Sequence, residues 1–240
     1  MWHDNRATAS IGYDFYQDLH FDLSEFNVQN HRPSLLVTGD FGRLQGAFVA
    51  QYDFYLLDDA NWLHAVTASP MLVLPQRDIG RLETYIRFQW REYTQSRFEI
   101  LGGYNTAGGI RQVLSLGAPG RLLWGSFEVD SQDSDVAGGA LYEYTGYQGE
   151  ALLSWPLPWS AIGHLGYRFR YEDYDDASAA FLPAGSGRRD DEHRVRVGVR
   201  KDLTDAISLV AAWVGTWNES NKDDFEYDRN IVSLGVELRL

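Results

Sequence analysis

Cysteine is absent from this chain of 240 residues. Cytosolic proteins can lack cysteine too, but its absence suits a protein that passes through an oxidising periplasm. Long apolar runs are also missing: no stretch of about 18 apolar residues occurs, which excludes a transmembrane helix. A membrane-spanning β-barrel is not excluded, because a barrel strand needs an apolar residue only at every second position.

Basic residues are outnumbered by acidic ones. The chain has 21 Lys and Arg against 34 Asp and Glu, which gives a net charge of −13. A nucleic-acid partner requires a basic surface, so this balance argues against one. The acidic residues cluster near positions 172–176, 190–192 and 223–228, and such runs are typical of solvated loops.

A signal peptide is missing as well. Residues 1–6 are polar and no apolar segment follows them, although a secreted protein needs such a leader. We therefore expect Met1 to follow a removed signal or an upstream domain. The alternative is a cytosolic protein.

Motifs for catalysis or metal binding are also lacking. None of the six histidines belongs to an H-E-x-x-H pair, and no acidic stretch matches a calcium-binding loop. The nearest His–Ser pair is His31 and Ser34, and no partner acid can be assigned to it. The sequence predicts no enzyme activity, no cofactor and no metal site.

What the chain does contain is the composition of a β-protein. Aromatic residues make up 14%, with 8 Trp and 14 Tyr, and there are 23 Gly against 7 Pro. Aromatic residues favour strands, and glycines suit turns and bulges. About twelve segments alternate between apolar and polar residues, each near the 9–11 residues that a tilted strand needs to cross a bilayer.

The segment at the end of the chain is the most regular of these. Val232, Leu234, Val236, Leu238 and Leu240 alternate with small or charged residues, and a period of two places them on one face of a strand. In most other segments the second face carries Arg, Glu, Gln or Asp. An apolar core could not hold so many charges, so we predict that the apolar face is the outer one.

The connections between the predicted strands alternate in length. Short ones fall at residues 41–43, 74–80, 116–120, 155–159 and 203–206, and long polar ones at 17–32, 93–104, 131–139, 172–192 and 219–229. The link at 56–61 is the exception, short where a long one is due. This pattern puts the long loops at one end of the sheet, as in outer-membrane barrels.

These observations together predict an all-β fold. We expect a transmembrane antiparallel up-and-down β-barrel of about twelve strands, formed as a single domain over residues 1–240. An even number of strands puts both termini at the end with short turns, which is the periplasmic end in such barrels.

The polar phase of the strands supplies the candidate functional residues. The predicted lumen-lining residues are Arg168, Arg170, Arg194, Arg196, Arg200, Arg229, Arg239, Asp14, Asp53, Glu128, Glu150 and Glu237. Arginines along one wall and carboxylates elsewhere would set up a transverse field, and such charges tune the selectivity of pores. In the alternative interpretation the arginines pair with the carboxylates and plug the barrel.

Aromatic residues near the predicted strand ends point to a membrane interface, where amphipathic rings are enriched. Sheet propensity also enriches aromatic residues, so this signal is less specific than the alternation. The predicted lipid-facing and girdle residues are Trp90, Trp155, Trp159, Tyr171, Trp217 and Leu240.

Several short segments resemble a known family. Residues 15–19 (F-Y-Q-D-L), 23–27 (L-S-E-F-N) and 31–34 (H-R-P-S) resemble the opening hairpin of the C-terminal barrel in tetratricopeptide-containing outer-membrane proteins. Residues 52–58, 189–194, and 220–221 followed by 227–230, resemble later segments of these barrels, which are of the surface-lipoprotein-assembly-modifier and exopolysaccharide-export types. The resemblance implies a barrel truncated from a longer protein, because such proteins carry a periplasmic repeat domain before the barrel. It also implies a terminal Phe where this chain has Leu240.

The function expected from the sequence is a passive pore or export conduit in the bacterial outer membrane, with a charged, arginine-lined lumen. Its expected partners are outer-membrane lipid and lipopolysaccharide, together with a periplasmic domain or a cargo. Two alternatives remain: a hydrolase of the lipase or protease type embedded in the outer membrane, and a soluble β-sandwich binding module.

Overall fold

The computed structural model describes residues 2–4, 7–18, 27–77, 79–117, 120–136, 139–174, 187–204 and 206–238. These residues form one antiparallel sheet in which each strand pairs with its neighbours in the chain. A short strand, β1 (Trp2–Asp4), precedes twelve long ones. The long strands are β2 (Ala7–Asp18), β3 (Val28–Asp40), β4 (Gln45–Leu57), β5 (Ala60–Gln76), β6 (Gly80–Tyr93), β7 (Gly103–Ser115), β8 (Leu122–Asp133), β9 (Tyr144–Leu157), β10 (Ala161–Tyr174), β11 (Arg189–Asp202), β12 (Ile207–Ser220) and β13 (Tyr227–Leu238).

This topology confirms the predicted up-and-down arrangement of about twelve strands. A β-sandwich requires two packed sheets, whereas the described strands belong to one. None of the described residues forms a helix long and apolar enough to cross a membrane. Helical structure within the described residues consists of single 3-10 turns in the long connections, at Glu99–Leu101, Gly139–Tyr142 and Asp223–Phe225.

The sheet buries charged side chains on one face and exposes apolar side chains on the other, which is the reverse of a soluble protein. On one face Asp53 and Asp130 are only 3% and 2% exposed. On the other face Ile110 and Phe127 are 54% and 49% exposed. Soluble domains bury apolar side chains and expose charged ones, and this sheet does the opposite.

The strands extend further than the sequence pattern predicts. His31 and Arg32, predicted to lie in a loop, are part of β3 and pair with β2. β8, β10 and β11 likewise continue to Asp133, Tyr174 and Arg189. The sequence pattern misses these strand ends because both faces carry polar or aromatic residues there. Apolar and polar residues therefore no longer alternate at the ends next to the long connections.

Two connections show why short turns are possible at these places. Asp58 and Asp59 link β4 to β5 with φ angles of 51° and 59°, the left-handed conformation that a two-residue type I′ hairpin requires. This turn is the predicted short link at residues 56–61. Trp159 and Ser160 adopt the same conformation between β9 and β10, with φ angles of 61° and 58°.

Pro70, predicted at a bulge or an unpaired position, pairs with Phe48 of β4 but has no partner in β6 among the described pairs.

Gly109 lies where a side chain from the next strand crosses the polar face. A Cβ atom at Gly109 would lie 2.6 Å from Tyr85 Oη and 2.9 Å from the carbonyl oxygen of Phe127. The Tyr85 ring crosses this glycine to donate a hydrogen bond of 2.6 Å to Glu128 Oε2. The absence of a side chain at Gly109 therefore permits a link between β6 and β8.

Replacing Gly109 by alanine should break this link. We expect Gly109→Ala to lower the free energy of unfolding by about 1–3 kcal/mol, the usual cost of overpacking. Gly108→Ala is the matched control, since its Cβ would meet nothing closer than 4.0 Å, and it should change stability by less than about 1 kcal/mol. Urea titration of protein folded in lipid vesicles measures both values. Equal stability of the two variants would contradict the role given to Gly109.

The sheet has two free edges within the described residues. The pairings run in one order from β1 to β13, and none joins β13 to β1 or β2. Side chains on both faces of β13 are exposed, including Leu234 at 84%, and Ile11 on β2 is 86% exposed. The short strand β1 pairs with β2 only over Ala7–Ala9, so among the described residues β2 is unpaired on that side from Ser10 onwards. β2 begins and β13 ends at the end of the sheet with short connections, so these two strands are antiparallel to each other.

Candidate functional site on the polar face

The register of the strands arranges the polar face in rows that run across the sheet. A row here is the set of side chains that lie directly opposite one another on successive strands. The central row, called the charged row, consists of Glu83, Arg111, Ser126, Glu150, Arg168, Arg194, Thr216 and Arg229. Eight strands, β6 to β13, thus contribute to one line of mostly ionisable groups.

The rows on either side differ in character. Towards the short connections lies the apolar row, which contains Arg81, Val113, Trp124, Leu152, Gly166, Arg196, Val214 and Ile231. Towards the long connections lies the upper row, with Tyr85, Gly109, Glu128, Gln148, Arg170, Glu192, Asn218 and Tyr227. The polar face is therefore layered, with an apolar layer below two layers of charge.

The most deeply buried ionic group is Asp130. Its side chain is 1% exposed, and its Oδ2 atom accepts hydrogen bonds from Arg170 Nη2 at 2.9 Å, Tyr144 Oη at 3.1 Å and Asn105 Nδ2 at 3.2 Å. Arg170 also donates to Glu172 Oε1 at 2.5 Å. A carboxylate with so little access to water is stable only with such partners, so Arg170 links β8, β9 and β10 through one guanidinium.

A second cluster lies at Asp53, on the opposite side of the sheet. Its carboxylate accepts hydrogen bonds from Arg32 Nε at 2.5 Å, Gln51 Nε2 at 3.0 Å and Asn30 Nδ2 at 3.1 Å. Arg32 and Asn30 belong to β3 and Asp53 to β4, so these hydrogen bonds tie the two strands together. Both the acid and its donors follow the inward phase of their strands.

Two glutamates make comparable contacts in the middle of the sheet. Glu128 lies 3.1 Å from Arg87 Nη2 in addition to its hydrogen bond from Tyr85. Glu83 receives Arg81 Nε at 2.5 Å and Arg111 Nη1 at 3.2 Å. These pairs show that arginines occur on both halves of the sheet. The predicted separation, with arginines along one wall and carboxylates elsewhere, is therefore wrong.

The cluster around Glu192 holds more positive charge than it neutralises. Arg168 and Arg194 lie directly opposite each other on β10 and β11, and like charges in that position repel. Glu192 accepts a hydrogen bond from Arg168, lies 3.5 Å from Arg194 Nη2, and accepts another from Tyr227 Oη at 2.8 Å. One carboxylate thus serves two guanidinium groups.

The predicted lumen residues can now be placed. Arg168, Arg170, Arg194, Arg196, Arg200, Arg229, Asp14, Asp53, Glu128, Glu150 and Glu237 all belong to the polar phase of their strands, and Arg239 lies outside the described residues. Arg200 contacts Glu237 at 2.5 Å and Asp202 at 3.1 Å. Arg196, Arg229, Asp14 and Glu150 have no ion-pair partner within 4 Å among the described residues. The polar face therefore combines paired charges with a few unpaired ones.

Sequence reasoning missed part of this face. It did not identify Arg32, Arg81, Arg87 and Arg111, although all four are in the polar phase of alternating strands. It also missed the inward apolar side chains of Val113, Trp124, Leu152 and Val214. The alternation carried a signal for these residues, since Leu152 is flanked by the outward Ala151 and Leu153, but three consecutive apolar residues hide the phase.

The predicted girdle residues lie on the apolar face near the strand ends. Trp90, Tyr171 and Trp217 each precede the last residue of their strand by three positions, at the end with long connections. Trp155 lies near the other end, close to Trp159, which is 84% exposed in its turn. Leu240 lies outside the described residues.

Among the described residues no group of three or more His, Cys, Asp or Glu side chains is placed to hold a metal ion. The acidic groups of the polar face instead face arginine, amide and phenol donors. The chemistry that this arrangement offers is the binding and guidance of charged solutes, because guanidinium groups bind carboxylates and phosphates in a fixed geometry.

Comparison with known proteins gives structural similarity only. No protein-family model matches the chain, and no curated protein sequence matches it. Among solved structures, the siderophore receptor PirA from Pseudomonas aeruginosa has a TM-score of 0.53 at 14% identity, over 98% of this chain and 42% of the receptor. The chain thus spans less than half of that protein's length. The translocator domain of the autotransporter NalP from Neisseria meningitidis has a TM-score of 0.35 at 12% identity, over 98% of this chain and 88% of the domain.

Both of these proteins are outer-membrane β-barrels. At such low identity the similarity to the siderophore receptor establishes the fold and nothing finer. The fold is an antiparallel up-and-down β-sheet of the outer-membrane type, with an exposed apolar face and a more deeply buried polar face.

Proposed function

We propose that this protein is a β-barrel of the bacterial outer membrane that serves as a conduit for ions or for an acidic, extended solute. The observation that carries the proposal is the inverted burial of the two faces. A polar wall with exposed arginines on the inside and an apolar belt on the outside is what a transmembrane pore requires. Lipid and lipopolysaccharide would then be the partners of the apolar face.

A conduit requires that the two free edges of the sheet meet. β2 and β13 are antiparallel and present their apolar side chains on the same face, as neighbours in a barrel must. Each also carries a charge without an ion-pair partner among the described residues: Asp14 on the polar face of β2 and Arg229 on that of β13. We infer that these edges pair, and that Asp14 and Arg229 face each other across the join.

The pairing of the edges can be tested directly because the chain lacks cysteine. We expect the double variant Ser10→Cys and Ser233→Cys, with both residues on the polar face, to form an intramolecular disulfide on mild oxidation in lipid vesicles. The matched control pairs Ser10→Cys with Ser126→Cys on β8 and should not cross-link. Disulfide-linked dimers in place of the monomeric product would mean that the edges join separate copies.

The conduit itself is tested by recording from purified protein in planar lipid bilayers. We expect discrete conductance steps with a preference for anions, because Arg196 has no ion-pair partner among the described residues and Arg168 and Arg194 share the single carboxylate of Glu192. Arg196→Glu should shift the ratio of anion to cation permeability towards cations by about two-fold or more, as charges on a pore wall do. Arg189→Glu, on the apolar phase at the strand end, is the control and should leave the ratio unchanged. Absence of conductance above background would refute the conduit.

Two observations bear on the size and charge of the transported solute. The resemblance of several segments to barrels of tetratricopeptide-containing outer-membrane proteins favours export of a larger cargo, with a periplasmic domain as partner. The excess of arginine at the centre of the polar face favours an acidic cargo. The hydrolase alternative has one observation in its favour, a contact of 2.9 Å between Ser154 Oγ and His164 Nδ1. Among the described residues no carboxylate makes a hydrogen bond or ion pair with His164, so the third member of a triad is not identified.

A further inference from the structure

A cavity of about 480 Å³ lies on the polar face where the charged and apolar rows meet. Pockets that bind small molecules have volumes of about 300–1,000 Å³ and are lined mainly by apolar groups with a few polar ones. This cavity has that composition. Val113, Leu122, Trp124, Leu152 and Val214 supply its apolar surface.

The charged side of the cavity is strongly positive. Arg81, Arg168, Arg194 and Arg196 line it, together with one carboxylate, Glu150. Arg81 shares Glu83 with Arg111, and Arg168 and Arg194 share Glu192. Arg196 is exposed to the cavity and has no carboxylate within 4 Å among the described residues. An anion in the cavity would therefore supply the charge that the protein does not.

The apolar and charged parts touch at Gly166. A Cβ atom built at this glycine would lie 3.1 Å from Leu152 Cδ1 and 3.7 Å from Arg196 Cβ. The side chains of Leu152 on β9 and Arg196 on β11 therefore lie next to the glycine on either side of β10. The apolar side chain and the guanidinium stem are consequently adjacent within one wall of the cavity.

We propose that this cavity binds a small amphipathic anion, in which one acidic group is joined to an apolar chain or ring. The acidic group pairs with Arg196 and the edge of the charged row, and the apolar body lies against Trp124, Leu152 and Val214. This proposal rests on the conduit function and deepens it, since it names the class of solute held against the polar face. It does not require that the protein conduct ions.

A simple inorganic anion fits the cavity less well. Such an ion would pair with Arg196 but would leave the apolar row in water. Each apolar group of a bound ligand that covers this surface adds about 25 cal/mol per Å² removed from water. The arrangement of five apolar side chains beside an unpaired arginine therefore selects for a ligand with both characters.

The test uses three probes of matched structure on the full chain in lipid nanodiscs, by isothermal titration calorimetry with empty nanodiscs subtracted. 4-Phenylbutyrate has the acid and the apolar body, 4-phenylbutyramide lacks the charge, and butyrate lacks the ring. We expect saturable 1:1 binding of 4-phenylbutyrate, with the other two probes at least ten-fold weaker. Equal binding of the acid and the amide, or no saturable binding of the acid, would overturn the proposal.

Variants locate the site. Arg196→Gln should weaken 4-phenylbutyrate binding about ten-fold, and Leu152→Ser should weaken it by a similar factor without a change of charge. Arg189→Gln, outside the cavity, should bind as the unaltered protein does. Heat-dependent gel mobility shows whether each variant is folded. If Arg196→Gln does not fold, binding of 4-phenylbutyrate by Leu152→Ser still tests whether the cavity is the binding site. Undiminished binding by Leu152→Ser and Arg196→Gln would place the ligand elsewhere. Conductance without probe binding would refute the site alone, and binding without conductance would refute the conduit alone.

Discussion

Replacing Arg170 by methionine is expected to lower the free energy of unfolding by about 3–5 kcal/mol. The substitution keeps most of the apolar stem but removes the guanidinium that pairs with Asp130 and Glu172. Asp130 would remain with hydrogen bonds from Tyr144 and Asn105 but without a cation. Losing one member of a buried ion pair is costly because the other charge stays behind in a poorly hydrated site.

Arg189→Met provides the comparison for this prediction. Arg189 and Asp173 are 3.2 Å apart, but their side chains are 63% and 46% exposed. An exposed pair contributes about 0–1 kcal/mol, so this variant should unfold almost as the unaltered protein does. Urea titration in lipid vesicles, followed by tryptophan fluorescence, gives both values. A loss for Arg170→Met no larger than that for Arg189→Met would mean that the Asp130 cluster is hydrated in the membrane-inserted protein.

Replacing Phe127 by arginine is expected to cost about 2–4 kcal/mol of stability in a bilayer. Phe127 lies halfway along β8 on the apolar face, opposite Ile110 of β7. If that face contacts lipid, arginine there would bring a charge to the middle of the bilayer. The cost arises from moving the guanidinium out of water, and it falls towards the strand ends.

Ser126→Arg is the matched control, because it places the same side chain one residue away on the opposite face. Ser126 lies on the polar side between Arg111 of β7 and Glu150 of β9. Glu150 has no ion-pair partner within 4 Å among the described residues, so its attraction for the new arginine offsets the repulsion from Arg111. We expect a change of less than about 1 kcal/mol. Unfolding in vesicles of defined lipid measures both variants, and greater damage from Ser126→Arg would mean that the sheet faces are assigned the wrong way round.

The sequence was sufficient to predict the fold because alternation is a local property. Whether Phe127 and Glu128 point in opposite directions depends only on strand geometry, and charge on one face with apolar residues on the other indicates an inverted barrel wall. The turn at Asp58 and Asp59 was likewise visible as a short gap between two alternating segments. Strand ends were less predictable, since alternation fades where polar and aromatic residues occupy both faces.

The site was only partly predictable because pairing depends on register. The phase of Arg170 could be determined from β10 alone, but its contact with Asp130 depends on how β8, β9 and β10 align. A shift of two residues would preserve every face and change every partner. The apolar row was missed for the same reason, as Val113, Trp124, Leu152 and Val214 form a layer only when four strands are in register.

The free edges of β2 and β13 also determine the order in which the wall can be assembled. Every described pairing joins strands that follow one another in the chain, so each hairpin closes a short loop. The join that we propose between β2 and β13 would instead bring together segments separated by nearly the whole chain. Chain entropy opposes that contact by roughly 2 kcal/mol more than it opposes a hairpin of 25 residues, because the loop is about three doublings longer. Hairpins can therefore add one after another, and the circumference closes last.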